Sequence, residues 1–219
     1  MSDLIFRNRT EAGRELARHL EPYREQNPLV IGLPRGGVIL GYEVAEALGA
    51  PLDVIVARKI GAPGHPEFAI GAVAPNGVRV IDDRTVRALR LDDETLEQLA
   101  AKARDESRRR MLAYRGTEEM PELRDRTVIL VDDGLATGAT ARAAVEAARQ
   151  AGARGLVLAV PVGAASSVEL FRELVDEVVC LSAPRDFRAV GFFYEDFGQN
   201  TDDEVIELLD RASRLHAGS

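Results

Sequence analysis

The chain has 219 residues, of which 46% are apolar and 29% charged, a balance typical of a globular protein. Its 28 basic and 36 acidic residues give a net charge of −8, which argues against a nucleic-acid partner because that affinity depends on clustered Lys and Arg. The single cysteine, Cys180, cannot form an internal disulfide, and no apolar run is long enough for a membrane span. The first ten residues lack the apolar core of a signal peptide, so we expect a cytoplasmic protein without a membrane partner.

Short β-branched runs alternate with helical stretches along the chain. The predicted elements are strand 30–33, helix 38–48, strand 52–57, hairpin 69–82, helix 92–114, strand 127–131, an alanine-rich helix that stops at Gly152, strand 156–162, helix 166–177 and strand 178–184. This alternation predicts parallel βαβ units, and hence an open, mostly parallel α/β sheet with helices on both faces. The ligand of such a sheet lies outside the carboxyl ends of its strands.

One segment, about residues 68–117, interrupts the alternation inside what we take to be a single domain, 1–219. Its hairpin turns at Pro75-Asn76-Gly77, and a highly charged helix follows. The thin apolar stripe of that helix predicts a solvated surface helix. Alternatively, the helix is a lid that brings Tyr114 and Arg115 over an anionic substrate.

The most informative stretch is VILVDDGLATGAT, in which two acids end an apolar strand and a small-residue loop opens a helix. A helix N-terminus with free backbone N–H groups is an anion site. Gly138 allows close approach of the backbone, and the hydroxyls of Thr137 and Thr140 add donors. The loop therefore predicts a site for a phosphate monoester.

The two acids, Asp132 and Asp133, need a different partner. Carboxylates accept hydrogen bonds, and the neighbouring 2′ and 3′ hydroxyls of a ribose would satisfy both at once. A ribose 5-phosphate group meets both requirements. A P-loop is not indicated because no Lys follows Gly138. A response-regulator acid pair would close a first strand, whereas this pair lies past the middle of the chain; an incidental acid pair at a tight turn is the structural alternative.

This stretch resembles the phosphoribosyl-diphosphate (PRPP) signature of type I phosphoribosyltransferases. PRGGVILGYEVAEALG, residues 34–49, resembles their diphosphate loop and helix, and ARKIG, residues 57–61, their Arg-Lys pair. APRDFRAVGFFYEDF resembles the hood segment, which we place at about 183–200. The whole chain is similar to a bacterial group of predicted phosphoribosyltransferases whose acceptor is unassigned. The resemblance implies the type I sheet, PRPP as a substrate and Mg²⁺ carried with it.

The resemblance also implies roles for particular residues. PRPP binding is assigned to Asp132, Asp133, Gly134, Ala136, Thr137, Gly138, Ala139, Thr140, Arg35, Gly36, Gly37, Arg58 and Lys59. The N–H groups of residues 35–37 can form a nest for diphosphate, in a loop that family members sometimes hold with a cis peptide. Lys59 would neutralise the leaving group, while Arg58 could instead be structural.

Catalysis is assigned to Arg35, Lys59 and Asp133, with Asp133 or its neighbour assisting proton transfer with the acceptor. Asp132 and Glu195 are the expected metal-facing acids. Phe187 or Phe192 could stack on an acceptor ring, although aromatics near strand ends more often belong to the core.

The expected activity is transfer of the 5-phosphoribosyl group of PRPP to an unidentified nitrogenous acceptor, with a nucleobase as first candidate, and release of diphosphate. A 6-oxopurine is disfavoured because strand 156–162 has no Lys, and orotate because the pattern K-x-H-G is missing. The alternatives are a PRPP-sensing regulatory module and a hydrolase of PRPP or nucleotides on the same scaffold. We also expect a homo-oligomer, a dimer.

Overall fold

The computed structural model describes residues 5–217. Its elements are α1 (Arg9–Leu20), β1 (Leu29–Gly32), α2 (Gly36–Leu48), β2 (Leu52–Val54), β3 (Arg58–Ala62), β4 (His65–Val73), β5 (Arg79–Ile81), α3 (Asp83–Ala88), α4 (Asp93–Arg115), β6 (Thr127–Val131), α5 (Ala139–Gln150), β7 (Gly155–Val162), α6 (Ala165–Arg172), β8 (Glu177–Ser182) and α7 (Asp202–Ala217), with 3-10 turns at Glu21–Gln26 and Val190–Phe193. Across this described part of the chain, none of the helices has both the length and the apolarity to cross a bilayer.

The main sheet has five parallel strands in the order β2-β1-β6-β7-β8. Alternate residues of its strands feed two apolar clusters. Val30 packs with residues of α1 and α2, whereas Ile31 and Leu130 pack with residues of α5 and α6. Because both faces are covered, β6 is buried throughout and reads as a continuous apolar run. The predicted open α/β sheet with helices on both faces is confirmed.

A second, smaller sheet has three antiparallel strands in the order β3-β4-β5. The predicted hairpin corresponds to β4 and β5, but β4 begins earlier, at His65, and also pairs with β3. The prediction extended β2 to residue 57, whereas β2 ends at Val54, and it did not include β3. Ile60 and Ile70 of this sheet pack against Ala100 of α4, so the small sheet and the charged helix share a core.

Helix α4 is held to the main body at its C-terminal end. Tyr114 is buried and donates a hydrogen bond to Asp202 Oδ1 at 2.6 Å, while burial raises its pKa to about 12. Arg115 binds both carboxylate oxygens of Asp53, at 2.6 and 3.0 Å. Both side chains therefore anchor the helix, and the structure does not support the lid interpretation for them.

Candidate active site

Three loops meet at one edge of the main sheet. Strands β2, β1 and β6 are neighbours and parallel, so their carboxyl ends lie side by side. The chain leaves β1 through residues 33–35, leaves β2 toward the Arg58-Lys59 pair, and leaves β6 through residues 132–138. The loops after β1 and β6 thus share the edge where ligands of open α/β sheets bind, whereas the Arg58-Lys59 pair lies farther along the chain, on β3.

The loop after β6 presents a run of unused backbone donors. None of the six N–H groups from Ala136 to Ala141 donates a hydrogen bond within residues 5–217, and neither do the hydroxyls of Thr137 and Thr140. Gly138 is the N-cap of α5 and has a φ of 71°, in the left-handed region that favours glycine. A helix start with free N–H groups and two free hydroxyls can hold a phosphate or another compact anion.

Two residues outside the signature support this loop from α6. The Ser167 hydroxyl is nearly buried and donates to the Ala136 carbonyl. The Phe171 ring is fully buried, and a Cβ at Gly138 would lie 2.6 Å from its Cε2 atom. A glycine is therefore required at position 138 for two reasons: the backbone is left-handed there, and a Cβ would have no room beside Phe171. The sequence carried no signal for Ser167 or Phe171, since both read as ordinary helix residues.

The acid pair has one oxygen of each carboxylate already engaged. Asp132 Oδ1 accepts from the Asp133 N–H at 2.9 Å, and Asp133 Oδ2 accepts from Arg9 Nε at 2.8 Å. The remaining oxygens, Asp132 Oδ2 and Asp133 Oδ1, accept from no other residue within 5–217. The pair therefore offers two free acceptor atoms on neighbouring residues, which suits two neighbouring hydroxyls.

Burial dominates the electrostatics of this pair. Burial and the adjacent Asp133 carboxylate raise the pKa of Asp132 well above its usual value. Burial also raises the pKa of Asp133, and the Arg9 guanidinium opposes part of that rise. A ligand that donates hydrogen bonds to the free oxygens would stabilise the ionised carboxylates.

The loop after β1 contains a cis peptide between Pro34 and Arg35, as the resemblance implied. Within residues 5–217 the N–H groups of Arg35 and Gly36 have no backbone acceptor. The expected three-residue nest is wrong for Gly37, whose N–H donates to the Leu33 carbonyl at 3.1 Å because it already belongs to the first turn of α2. Position 37 excludes any side chain instead, since a Cβ there would lie 2.3 Å from the Val131 carbonyl oxygen.

The Arg35 side chain points to α7 rather than to the acid pair. Its Nη1 atom lies 3.9 Å from Asp202 Oδ1, in an ion pair that is about half exposed. Gly36, by contrast, lies directly against the acid pair, because a Cβ at this position would be 2.0 Å from Asp133 Oδ2. The N-terminus of α2 therefore adjoins a carboxylate of the protein itself.

Lys59 and Arg58 line a separate cavity of about 440 Å³ between the β3–β4 hairpin and α4, which Lys102 and Glu106 of α4 also line. The Lys59 side chain is exposed and makes no hydrogen bond or ion pair within residues 5–217. A larger cavity of about 590 Å³ lies at the tip of the hairpin, and residues of the signature do not line it. The structure thus separates the Arg-Lys pair from the cluster formed by the acids, the loop and Gly36.

The hood covers the acid pair through backbone and aromatic contacts. The Tyr194 hydroxyl donates to the Asp133 carbonyl at 2.7 Å, and Val190 packs on Gly134. Phe187 stacks on Phe193, with ring centroids 5.6 Å apart, and packs against the core. Phe192 is 67% exposed and is the most exposed phenylalanine of the hood.

The expected metal-facing acid, Glu195, is exposed and is held through its N–H, which donates to the Phe6 carbonyl. Within residues 5–217, no three His, Cys, Asp or Glu side chains gather in a group that could hold a metal. The free carboxylate oxygens of the acid pair are the hard ligands that Mg²⁺ accepts. The donor set therefore fits an ion that arrives with other oxygen ligands on a substrate, rather than one caged by the protein.

Comparison with known proteins identifies the family of this chain. The phosphoribosyl transferase domain family matches residues 5–196. Two curated proteins of Mycobacterium tuberculosis, from strains CDC 1551 and H37Rv, are provisionally named phosphoribosyl transferases; each is 47% identical over 210 residues, which cover 96% of this chain and 47% of theirs. This chain thus spans about half the length of these relatives.

The crystal structure of TT1426 from Thermus thermophilus is 46% identical, with a TM-score of 0.79 over 94% of this chain and 97% of that one. The chain belongs to the phosphoribosyl transferase domain family.

Proposed function

We propose that this protein binds PRPP and transfers its 5-phosphoribosyl group to a nitrogenous acceptor, with release of diphosphate. The observation that carries the proposal is the continuous run of unused N–H groups from Ala136 to Ala141, directly after two acids that each keep one free oxygen. The run accommodates the 5-phosphate, and the free oxygens accept from the two ribose hydroxyls. One sugar phosphate satisfies both sets of groups.

The diphosphate belongs at the start of α2 in this proposal. The N–H groups of Arg35 and Gly36 are its backbone donors, and Lys59 is the cation that would approach from the β3–β4 hairpin. The expected Mg²⁺ would supply positive charge to the diphosphate and ribose oxygens. Gly37 and the Arg35 side chain have no direct part in this arrangement, because one has its N–H engaged and the other faces Asp202.

The chemistry requires no protein nucleophile. Cleavage of the bond between C1 of the ribose and diphosphate passes through a transition state with oxocarbenium character, so the protein must hold both reactants in line and stabilise charge on the leaving group. Asp132 and Asp133 fix the sugar, and the α5 loop fixes its phosphate end. We assign Asp133 to sugar binding rather than to proton transfer, because Arg9 engages Oδ2 and the ribose hydroxyl would take the remaining oxygen, Oδ1.

The test is calorimetric titration with PRPP and Mg²⁺ of the wild type and of an Asp132→Asn/Asp133→Asn variant. Two charge-assisted hydrogen bonds are worth about 3–6 kcal/mol together, so affinity should fall by about a hundredfold or more. Wild-type protein that does not bind PRPP would refute the proposal. Undiminished binding by the double variant would refute the role of the acid pair.

A screen of nucleobases and other amines for diphosphate release then separates the three activities. Release that depends on one acceptor supports the transferase. Release without any acceptor would identify a hydrolase, and tight binding without release would identify a PRPP sensor. Each of these two outcomes would replace the transfer step while leaving the binding site as described.

A further inference from the structure

Arg9 is a nearly buried guanidinium that reaches the acid pair from the other end of the chain. It is the first residue of α1 and lies 124 positions from Asp133, and its side chain is only 11% exposed. Its Nε donates to Asp133 Oδ2 at 2.8 Å, and its Nη1 donates to the Gly198 carbonyl at 2.8 Å. One planar side chain therefore joins the signature acid to the hood.

The guanidinium is held from several directions. It lies over the Phe197 ring, 3.9 Å from the ring centroid. The backbone just before it pairs with the hood, where the Phe6 N–H donates to the Phe193 carbonyl and the Glu195 N–H to the Phe6 carbonyl. Asn8 caps α1 by accepting from the Glu11 N–H at 3.0 Å, which fixes the start of the helix. Arg9 is thus fixed by packing and capping independently of Asp133.

This arrangement determines what Asp133 can offer to a ligand. With Oδ2 engaged by Arg9, Asp133 keeps Oδ1 for a hydroxyl. Asp132 keeps Oδ2, because its Oδ1 accepts from the Asp133 N–H. Gly36 leaves room for the Asp133–Arg9 contact, because a Cβ there would lie 2.0 Å from the carboxylate oxygen and 2.8 Å from Arg9 Nε. A carboxylate without Arg9 could rotate and present either oxygen.

We propose that Arg9 is a positioning residue for the ribose: it fixes the Asp133 carboxylate so that this acid presents Oδ1 alone to the adjacent hydroxyl, beside the free oxygen of Asp132, and it ties Asp133 to the hood. The inference rests on the proposed function, since it concerns recognition of the sugar. Arg9 matters for the two hydroxyls and not for the phosphate, which the α5 loop holds. A purely structural ion pair would instead affect stability, and would affect all ligands equally.

The experiment measures the affinities of ribose 5-phosphate, 2-deoxyribose 5-phosphate and inorganic phosphate by calorimetry. The quantity of interest is the preference for ribose over deoxyribose. The variants are Arg9→Gln, which removes the charge, and Arg9→Lys, which keeps the charge but cannot bridge Asp133 and Gly198 at once. The matched control is Arg14→Gln on the same helix, whose partner Glu43 lies outside the site.

We expect the wild type and Arg14→Gln to prefer ribose 5-phosphate by about tenfold, the scale of one hydrogen bond to a charged group. Arg9→Gln should lose most of that preference while keeping its affinity for inorganic phosphate within about twofold. The preference of Arg9→Lys for ribose 5-phosphate should lie between that of the wild type and that of Arg9→Gln. A melting curve for each variant shows whether it is folded.

Retention of the wild-type preference in Arg9→Gln would overturn the proposal, even with a lowered melting temperature. If Arg9→Gln does not fold, the Arg9→Lys variant provides the test. A wild-type preference for ribose in Arg9→Lys would then overturn the proposal as well. Equal losses for all three ligands would assign Arg9 a structural role only. Wild-type protein that binds neither sugar phosphate would refute the proposed function itself, which is a different result from a failure confined to the Arg9 variants.

Discussion

Helices α5 and α2 both begin at the carboxyl end of neighbouring strands, but different groups face their first turns. At α5 the N–H groups from Ala136 to Ala141 are unused. At α2 only Arg35 and Gly36 keep free N–H groups, and the Asp133 carboxylate lies against Gly36. An anion at α5 meets donors alone, whereas an anion at α2 also meets a negative charge and needs a cation to offset it. In the proposed function, the same secondary-structure feature therefore serves a lone phosphate at α5 and a cation-assisted anion at α2.

The largest effect should come from changing the α5 site at Gly138. Gly138→Ala forces a residue with a φ of 71° to place its Cβ 2.6 Å from Phe171. Backbone strain and overpacking together should lower the free energy of unfolding by about 2–4 kcal/mol. Inorganic phosphate binding should also be lost, since the loop must shift. Both are measured by denaturant unfolding and calorimetry.

The control for Gly138 is Gly49→Ala. Gly49 has a similar φ of 63°, at the end of α2, but a Cβ there meets nothing within 4 Å. Gly49→Ala should lower the free energy of unfolding by about 1 kcal/mol and leave phosphate binding unchanged. Equal losses in the two variants would show that space beside Phe171 does not matter.

A smaller effect is expected at the α2 site from Gly36→Ala. The new methyl group would displace the Asp133 carboxylate, which can move more easily than backbone. Affinity for ribose 5-phosphate should fall by about tenfold, equivalent to one charge-assisted hydrogen bond, and inorganic phosphate should bind as before. Gly41→Ala on the same helix is the control, because its Cβ would contact Leu52, Gly32 and Val30 rather than the acid pair. If Gly36→Ala lost affinity for both ribose 5-phosphate and inorganic phosphate, the starts of α2 and α5 would not act as separate sites.

Stability should respond to pH through Asp132, which lies between the two helix starts. Because burial and Asp133 raise its pKa in the folded state, the folded protein binds more protons than the unfolded one, and stability falls as pH rises from about 4 through the folded pKa. Asp132→Asn removes that loss. It should therefore be more stable than the wild type at neutral pH by about 1 kcal/mol or more, with the difference shrinking toward pH 4. Melting curves across this range would show a constant difference if the expectation is wrong.

The smallest expected effect is that of Lys59→Ala, which tests the cation at the α2 site. Lys59 is exposed, so affinity for diphosphate should fall only about two- to fivefold, and less at high salt. Lys102→Ala, in the same cavity but on α4, is the control and should not change affinity. Equal effects of the two lysines would indicate a general attraction rather than a specific contact. These titrations need no acceptor.

The sequence predicted the main sheet and the signature loop well because their signals are local. An apolar run, two acids and a glycine before an alanine-rich helix are adjacent in the chain, and the helix predicted at 92–114 was found at Asp93–Arg115. Helix α6 was predicted too long, to residue 177, because the chain leaves the helix after Arg172 and re-enters the sheet at Glu177.

The missed Arg9 contact and the missed strand β3 depend on contacts between distant segments, whereas helices α1, α3 and α7 were not predicted either. Arg9 meets Asp133 across 124 positions, and nothing in the sequence around Arg9 marks it as part of a site. Strand β3 exists because β4 folds back on it, so closely that a Cβ at Gly61 would lie 2.5 Å from the Pro66 carbonyl oxygen. Pairing partners of this kind are determined by the folded structure, so single-sequence patterns cannot supply them.

The contact between Gly138 and Phe171 has a consequence for how this site can change during evolution. A core ring of α6 sets the room available to the α5 loop, so the two positions are not free to vary independently. A relative with a bulkier residue at the Gly138 position would need a smaller one at the Phe171 position. Covariation between these two columns in a family alignment would therefore measure how strictly the binding loop is matched to the core beneath it.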